Sequence, residues 1–203
     1  MTLANRLTIS RLGFAAAAFI CIVMDGAGSK IAALLLFAVA SLTDWLDGKI
    51  ARETGTVTQF GAIADPFVDK ILVLAAFLAF ASLRTLDVPL WAVFLIMVRE
   101  LMISSLRVLA ALQGSVMSAE RAGKLKTLVQ YCACYVIMAI LIARELAVKP
   151  GCALAAQMQQ VSDYTQNWPF GLTIIAMLVT VASGIVYLHM HWSLLTNSWS
   201  VKK

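Results

Sequence analysis

The chain has 203 residues, of which 61% are hydrophobic and only 13% are charged, and its formal net charge is +5. This composition is typical of an integral membrane protein, because soluble domains carry about twice that share of charged residues. It argues against a soluble helical protein, and no basic run or aromatic platform supports nucleic-acid binding. We therefore expect the excess positive charge to lie at the membrane surface or near an anionic substrate.

The apolar runs predict an all-α fold with six transmembrane helices, since each run approaches the roughly 20 residues that cross a bilayer. A short amphipathic segment, 1–11, leads into the first run, which we interpret as a retained helix rather than a signal peptide. The predicted spans are 9–24, 31–52, 60–83, 89–112, 123–145 and 170–189. Residues 25–30 are predicted to form a turn and 148–169 a longer polar loop. The whole chain, 1–203, is predicted to be one domain.

Lysine and arginine are distributed unequally between the two sides that six spans define. One side carries Arg6, Arg11, Lys49, Arg52, Arg121, Lys124, Lys126, Lys202 and Lys203, and the other carries Lys30, Arg84, Arg144 and Lys149. Because basic residues are enriched in cytosolic loops, both termini are predicted to be cytosolic. A short chain without a transit peptide favours the bacterial inner membrane, with a eukaryotic organelle as the alternative.

Four aspartates lie within two of these apolar runs. Asp44 and Asp47 are three residues apart in the second run, and Asp65 and Asp69 are four apart in the third. On helices each pair shares a face, and Asp44 and Asp69 each fall roughly 12 Å from the cytosolic end of their helix. Burying unpaired carboxylates is costly, so the pattern predicts one divalent-metal site with two ions, open to cytosolic water. The competing interpretation is the proton or cation path of a transporter.

Small and basic residues accompany these acids at helical spacing. Gly48 and Ala51 continue the face of the first acid pair and leave room for a ligand near the backbone, while Arg52 is placed to meet a phosphate. Gly61 precedes the second pair in the same way. A transporter would give these residues no role, whereas a bound diphosphate explains them.

A second charged group lies in the predicted fourth and fifth helices. It consists of Arg99, Glu100, Arg107, Lys124 and Lys126. One interpretation is structural, because Glu100 and Arg107 share a helix face and can pair, and the lysines can be ordinary flanking charges. The other is that the four cations bind a phosphorylated acceptor, because arginine binds phosphate bidentately and lysine adds a point charge.

The aspartate pattern resembles the signature of a known family, the CDP-alcohol phosphotransferases. It is Asp44-xx-Asp47-Gly48-xx-Ala51-Arg52, then eight residues, then Gly61-xxx-Asp65-xxx-Asp69, with no departure at any signature position. Asn5-xx-Thr8-xx-Arg11, Arg99-Glu100 with Arg107, and GKLKT at Gly123–Thr127 resemble the branch of this family that makes phosphatidylglycerol phosphate. Ala4 departs from that branch, where many members have proline.

The resemblance implies a homodimeric enzyme that transfers the phosphatidyl group of CDP-diacylglycerol to sn-glycerol 3-phosphate and releases CMP. Two Mg²⁺ or Mn²⁺ ions would be held by Asp44, Asp47, Asp65 and Asp69, and Asp69 would be the base toward the acceptor hydroxyl. The CDP-lipid would be bound by Thr8, Gly48, Ala51, Arg52 and Gly61, and the acceptor phosphate by Arg99, Arg107, Lys124 and Lys126. Inositol phosphate and serine are the alternative acceptors within the same superfamily.

Overall fold

The computed structural model describes residues 3–54, 59–112, 121–148 and 154–190, together with Trp192. Within these ranges, the side chains of 3–9, 44–54, 59–66, 69, 111–112 and 121–122 lie outside the described part. The described residues form seven α-helices and one short 3₁₀ helix, and they contain no strand. The prediction of an all-α fold is therefore confirmed.

The helices follow the predicted apolar runs in order. They are α1 (Leu3–Val23), α2 (Ala27–Thr54), α3 (Gln59–Ser82), α4 (Leu90–Leu112), α5 (Arg121–Val148), α6 (Ala155–Tyr164) and α7 (Trp168–Met190), with the 3₁₀ helix at Arg84–Leu86. The six predicted spans correspond to α1 to α5 and α7. From Leu3 onward, the predicted amphipathic segment is continuous with the first span.

The turn between α1 and α2 is shorter than predicted, because α2 already begins at Ala27. Gly26 adopts a positive φ of 102°, which lets the chain reverse within a few residues. Lys30 then folds back, and its Nζ donates hydrogen bonds to Ile22 O at 2.5 Å and Met24 O at 2.6 Å. These bonds satisfy the carbonyl group of Ile22, which has no partner within the helix, and that of Met24 just beyond the end of α1.

The predicted polar loop 148–169 contains a helix, α6, so this prediction was wrong over Ala155–Tyr164. The segment lacks the glycine and proline that flank it, and Gln159 Nε2 donates to Asp163 Oδ1 at 3.0 Å, one turn apart. Thr165 ends the helix by donating from Oγ1 to Val161 O at 2.7 Å. No residue of α6 is buried, and its polar composition resembles that of a loop.

The helices pack as a bundle in which α1 contacts α2 and α3, α4 contacts α3 and α7, and α5 contacts α2, α6 and α7. The core between them includes Ile22, Phe37, Phe77, Phe80, Ile96 and Ile137. Phe37 and Tyr135 pack edge to face with ring centres 5.2 Å apart, and Tyr135 Oη lies 2.7 Å from Ser41 Oγ. These contacts fix α2 against α5 within two turns of Asp44.

Two helices of the described part, α7 and the Gly123–Val148 portion of α5, are long and apolar enough to cross a membrane. Shorter apolar stretches occur at Ser10–Val23, Ala27–Thr43 and Lys70–Ser82. Large apolar side chains such as Leu35, Phe94 and Leu178 lie about 60% exposed on the outside of the bundle, as expected for a lipid-facing surface. These features fit a membrane protein, while the count of six spans and the cytosolic termini stay predictions.

Candidate functional site

The signature acids lie in two consecutive helices. Asp44 and Asp47 are in α2, and Asp65 and Asp69 are in α3. Because α2 ends at Thr54 and α3 begins at residue 59, Asp44 and Asp69 are each ten residues from those ends, or about 15 Å at 1.5 Å per residue. The two distances are equal, as predicted, but longer than the predicted distance of roughly 12 Å. A common depth in the membrane stays a prediction. The side chains of these acids lie outside the described residues, so a four-carboxylate cluster stays a prediction.

The predicted CDP-lipid residues are also located by helix alone. Gly48, Ala51 and Arg52 lie in the last two turns of α2, Gly61 lies in the first turn of α3, and Thr8 lies in α1. Their side chains fall outside the described part of the chain. The helix positions agree with the spacing argument, and the contacts to a CDP-lipid stay predictions.

Glu100 lies at the centre of a buried polar cluster between α4 and α5. Its Oε1 accepts hydrogen bonds from Arg99 Nη1 at 3.3 Å, from Gln130 Nε2 at 3.1 Å and from Lys126 Nζ. The side chains of Arg99 and Lys126 are each 7% exposed, and that of Glu100 is 2% exposed. Burial of these charges is tolerated because each has an opposite charge in direct contact.

Helix α7 completes this cluster with uncharged groups. Gln130 Nε2 donates to Thr180 Oγ1 at 2.8 Å, and Arg99 Nη2 donates to Ser183 Oγ at 2.8 Å. Sequence reasoning missed these partners, because Thr180 and Ser183 carry no charge and lie in an apolar run. Their only signal is the spacing of three residues, which places both on one face of a helix.

Arg107 lies eight residues after Arg99 in α4 and contacts Tyr187 of α7. Its Nε donates to Tyr187 Oη at 3.3 Å, and its guanidinium carbon lies 5.4 Å from the ring centre, within cation–π distance. The structural interpretation allowed Arg107 to pair with Glu100, but the structure shows different partners for Glu100. In the described part of the chain, the ion-pair partners of Glu100 are Arg99 and Lys126.

The four predicted acceptor cations therefore differ in their surroundings. Arg99 and Lys126 are buried against Glu100, Arg107 is half-buried beside Tyr187, and Lys124 is exposed. The structural interpretation explains the burial of Arg99 and Lys126, and the exposure of Lys124 suits a flanking charge. None of this tests acceptor binding, so the acceptor role of all four residues stays a prediction.

Lys70 follows the last signature acid, Asp69, in α3. It lies close enough to Glu100 and Lys126 of the polar cluster for its charge to act on both. Helix α3 also packs directly against α4 and α5. The polar cluster therefore lies near the helical position of the last signature acid.

Comparison with known proteins gives a family and several named relatives. The family model for CDP-alcohol phosphatidyltransferase matches residues 1–162, which include every signature position and the charged residues of α4 and α5. The chain is 34% identical over 170 residues to the CDP-diacylglycerol–glycerol-3-phosphate 3-phosphatidyltransferase of Bacillus subtilis, covering 84% of this chain and 78% of that one.

Two further relatives come from other bacteria. A probable phosphatidylglycerophosphate synthase of Mycobacterium tuberculosis is 39% identical over 131 residues, covering 63% of this chain and 61% of the relative. A CDP-diacylglycerol–glycerol-3-phosphate 3-phosphatidyltransferase of Rickettsia typhi is 35% identical over 129 residues, covering 63% of this chain and 71% of the relative. The chain belongs to the CDP-alcohol phosphatidyltransferase family.

Proposed function

We propose that this protein transfers the phosphatidyl group of CDP-diacylglycerol to sn-glycerol 3-phosphate, giving phosphatidylglycerol phosphate and CMP. The observation that carries the proposal is the family match over residues 1–162, which contains the complete aspartate signature. Relatives named for this reaction are 34% and 35% identical to the chain. The basic residues of α4 and α5 add support, because the acceptor is a dianion.

In the proposed reaction, an acceptor hydroxyl oxygen forms a bond to the lipid-linked phosphorus. The bond from that phosphorus to the bridging diphosphate oxygen breaks, and CMP leaves with the electron pair. Asp69 takes the hydroxyl proton as general base. Arg52 contacts the diphosphate, while Gly48 and Gly61 leave room for the nucleotide to approach the two helix backbones.

Mg²⁺ or Mn²⁺ ions are proposed to be held by Asp44, Asp47, Asp65 and Asp69. This donor set consists of carboxylates, and oxygen donors are the ligands that both ions prefer. When bound, the ions supply positive charge that stabilises the departing phosphate. No group of three or more His, Cys, Asp or Glu residues elsewhere among the described side chains forms an alternative metal site.

The proposed location follows from the same residues. Glycerol 3-phosphate and CMP are water-soluble, so the site must open to water at one membrane surface, and the distribution of basic residues favours the cytosolic one. We include six spans, both termini in the cytosol and a bacterial inner membrane in the proposal. The bacterial relatives support this membrane, and a homodimer is proposed from the family resemblance.

The charge balance of α4 and α5 favours a phosphorylated acceptor over serine or inositol. The single negative charge of Glu100 neutralises one of the two positive charges of Arg99 and Lys126. The three buried residues therefore have a net charge of +1. Arg107 adds a second charge, and it contacts the neutral Tyr187. Because Tyr187 brings no negative charge to compete for the guanidinium, Arg107 is proposed to make the main contact with the acceptor phosphate.

Replacing Arg107 with alanine is expected to lower kcat/KM for glycerol 3-phosphate about 10- to 100-fold, the effect of losing a hydrogen bond to a charged group. The KM for CDP-diacylglycerol should be unchanged. Steady-state CMP release at varied concentrations of each substrate measures both. Arg84→Ala is the matched control, because Arg84 is an exposed arginine of the 3₁₀ helix. An unchanged KM and kcat for the acceptor would remove Arg107 from the site.

An acceptor panel tests the proposed function against its alternatives. Purified protein in detergent is given CDP-diacylglycerol and Mg²⁺ with glycerol 3-phosphate, serine, inositol or inositol phosphate, and CMP release is measured. We expect rapid CMP release only when glycerol 3-phosphate is the acceptor, and EDTA should abolish this release. CMP release with a different acceptor, and none with glycerol 3-phosphate, would overturn the acceptor assignment. No release with any of them, combined with ion flux in sealed vesicles, would favour a transporter.

A further inference from the structure

Helix α7 presents one polar face to the interior of the bundle. The face consists of Thr180, Ser183, Gly184 and Tyr187, whose spacing of three, four and seven residues from Thr180 places them on one side of the helix. All four residues are buried. The outer side of α7 carries apolar residues such as Leu178 and Ile185, which are 58% and 63% exposed. The polar residues of α7 are thus directed toward α4 and α5 rather than outward.

Each polar side chain of this face contacts a different group of α4 or α5. Thr180 accepts from Gln130, and Tyr187 contacts Arg107 through both its hydroxyl and its ring. Ser183 Oγ donates to Thr180 O at 3.1 Å within α7, which leaves its lone pairs to accept from Arg99. The hydroxyl groups of α7 therefore orient the polar ends of both arginines in α4.

Gly184 allows the stem of Arg99 to lie directly against α7. A Cβ atom at residue 184 would lie 2.8 Å from Arg99 Cγ and 3.0 Å from Arg99 Nε. The 2.8 Å contact with Cγ is too short for either group to stay in place, so a side chain at residue 184 would displace the stem of Arg99. By contrast, a Cβ at Gly171 in the same helix would meet nothing within 4 Å. The three atoms nearest to a Cβ at residue 184 all belong to Arg99, so the close approach is to that side chain.

We infer that α7 positions Arg99 and Arg107 for the acceptor phosphate, with Ser183 and Tyr187 as positioning residues and Gly184 as the residue that admits the stem of Arg99. This inference rests on the proposed function. An arginine already held in one orientation loses less conformational freedom when its ligand binds, which strengthens binding of that ligand. Helix α7 lies beyond the residues that the family model matches, 1–162, so this role is assigned from contacts alone.

Tyr187→Phe tests the positioning role, because it removes the hydroxyl and keeps the ring beneath Arg107. We expect the KM for glycerol 3-phosphate to rise about threefold to tenfold, the effect of one hydrogen bond, with the KM for CDP-diacylglycerol and the Tm unchanged. Added to Arg107→Ala, the same change should have no further effect. A purely structural tyrosine would instead give additive losses. Tyr164→Phe on the exposed α6 is the matched control.

Gly184→Ala is the second test, with Gly171→Ala as its control. We expect Gly184→Ala to raise the KM for glycerol 3-phosphate more than Gly171→Ala does. The role of α7 would be overturned if Tyr187→Phe and Gly184→Ala left the KM for glycerol 3-phosphate unchanged while Arg107→Ala raised it. That result would leave the proposed function standing. Unmodified protein that releases no CMP with glycerol 3-phosphate would overturn both.

Discussion

Purified Asp69→Asn protein is expected to release CMP at least about 10²-fold more slowly than the unmodified protein, because general-base catalysis contributes typically 10²- to 10⁴-fold. Asparagine has nearly the shape of aspartate, but its amide cannot accept the proton of the acceptor hydroxyl. The loss should therefore appear in kcat at saturating concentrations of both substrates. Thermal unfolding in detergent should remain close to that of the unmodified protein.

Two comparisons distinguish a base role of Asp69 from a role in metal binding alone. Asp163→Asn makes the same chemical change on the exposed α6, far along the chain from the signature, and should retain full activity. A Mg²⁺ titration of Asp69→Asn identifies a defect in metal binding. Activity restored by excess Mg²⁺ would leave Asp69 as a metal ligand only, and near-normal activity at ordinary Mg²⁺ would refute both roles.

Glu100→Ala is expected to cause a large loss of stability. It leaves Arg99 and Lys126 buried without their shared carboxylate, and an uncompensated buried charge costs about 3–5 kcal/mol. For a chain of this size, the Tm should fall by roughly 10 °C. Thermal unfolding in one detergent measures the change. Glu145→Ala is the matched control, since Glu145 is half-buried and accepts a hydrogen bond from Gly26 N.

Charge compensation provides a stricter test of the same cluster. Lys126→Met removes one of the two cations, so it should be less harmful in combination with Glu100→Gln than on its own. We expect the double variant to lose less free energy of unfolding than the sum of the two single losses. The difference should be at least about 1 kcal/mol, as for residues in direct contact. Strictly additive losses would show that Glu100 and Lys126 do not stabilise one another.

Local sequence patterns predicted most helices of the bundle, because apolar runs depend on residues close together in the chain. The chemistry of the signature stays a prediction. Apolar runs located α1 to α5 and α7, and the equal spacing of Asp44 and Asp69 from their helix ends agrees with the observed bounds. Helix α6 was missed because it is short, polar and without buried residues. Its stability depends on local hydrogen bonds and packing against α5 rather than on an apolar face.

The partners of the charged residues could not be predicted, because packing between helices decides them. Sequence spacing showed that Glu100 and Arg107 share a face of α4, but the carboxylate contacts Lys126, 26 residues away in the next helix. Arg107 is instead oriented by Tyr187, 80 residues away. Hydroxyl groups in an apolar helix give no sequence signal that distinguishes a hydrogen-bond partner of arginine from an ordinary packing residue.

The most direct test of the proposed function is incorporation of labelled glycerol 3-phosphate into lipid by the purified protein, measured together with CMP release. The reaction requires one phosphatidylglycerol phosphate for each CMP, and formation of both should depend on Mg²⁺ and on CDP-diacylglycerol. The expected result is a one-to-one ratio, with formation of both products at least about 10²-fold slower in Asp69→Asn. CMP release without labelled lipid, or with a different acceptor in the lipid product, would contradict the proposed function.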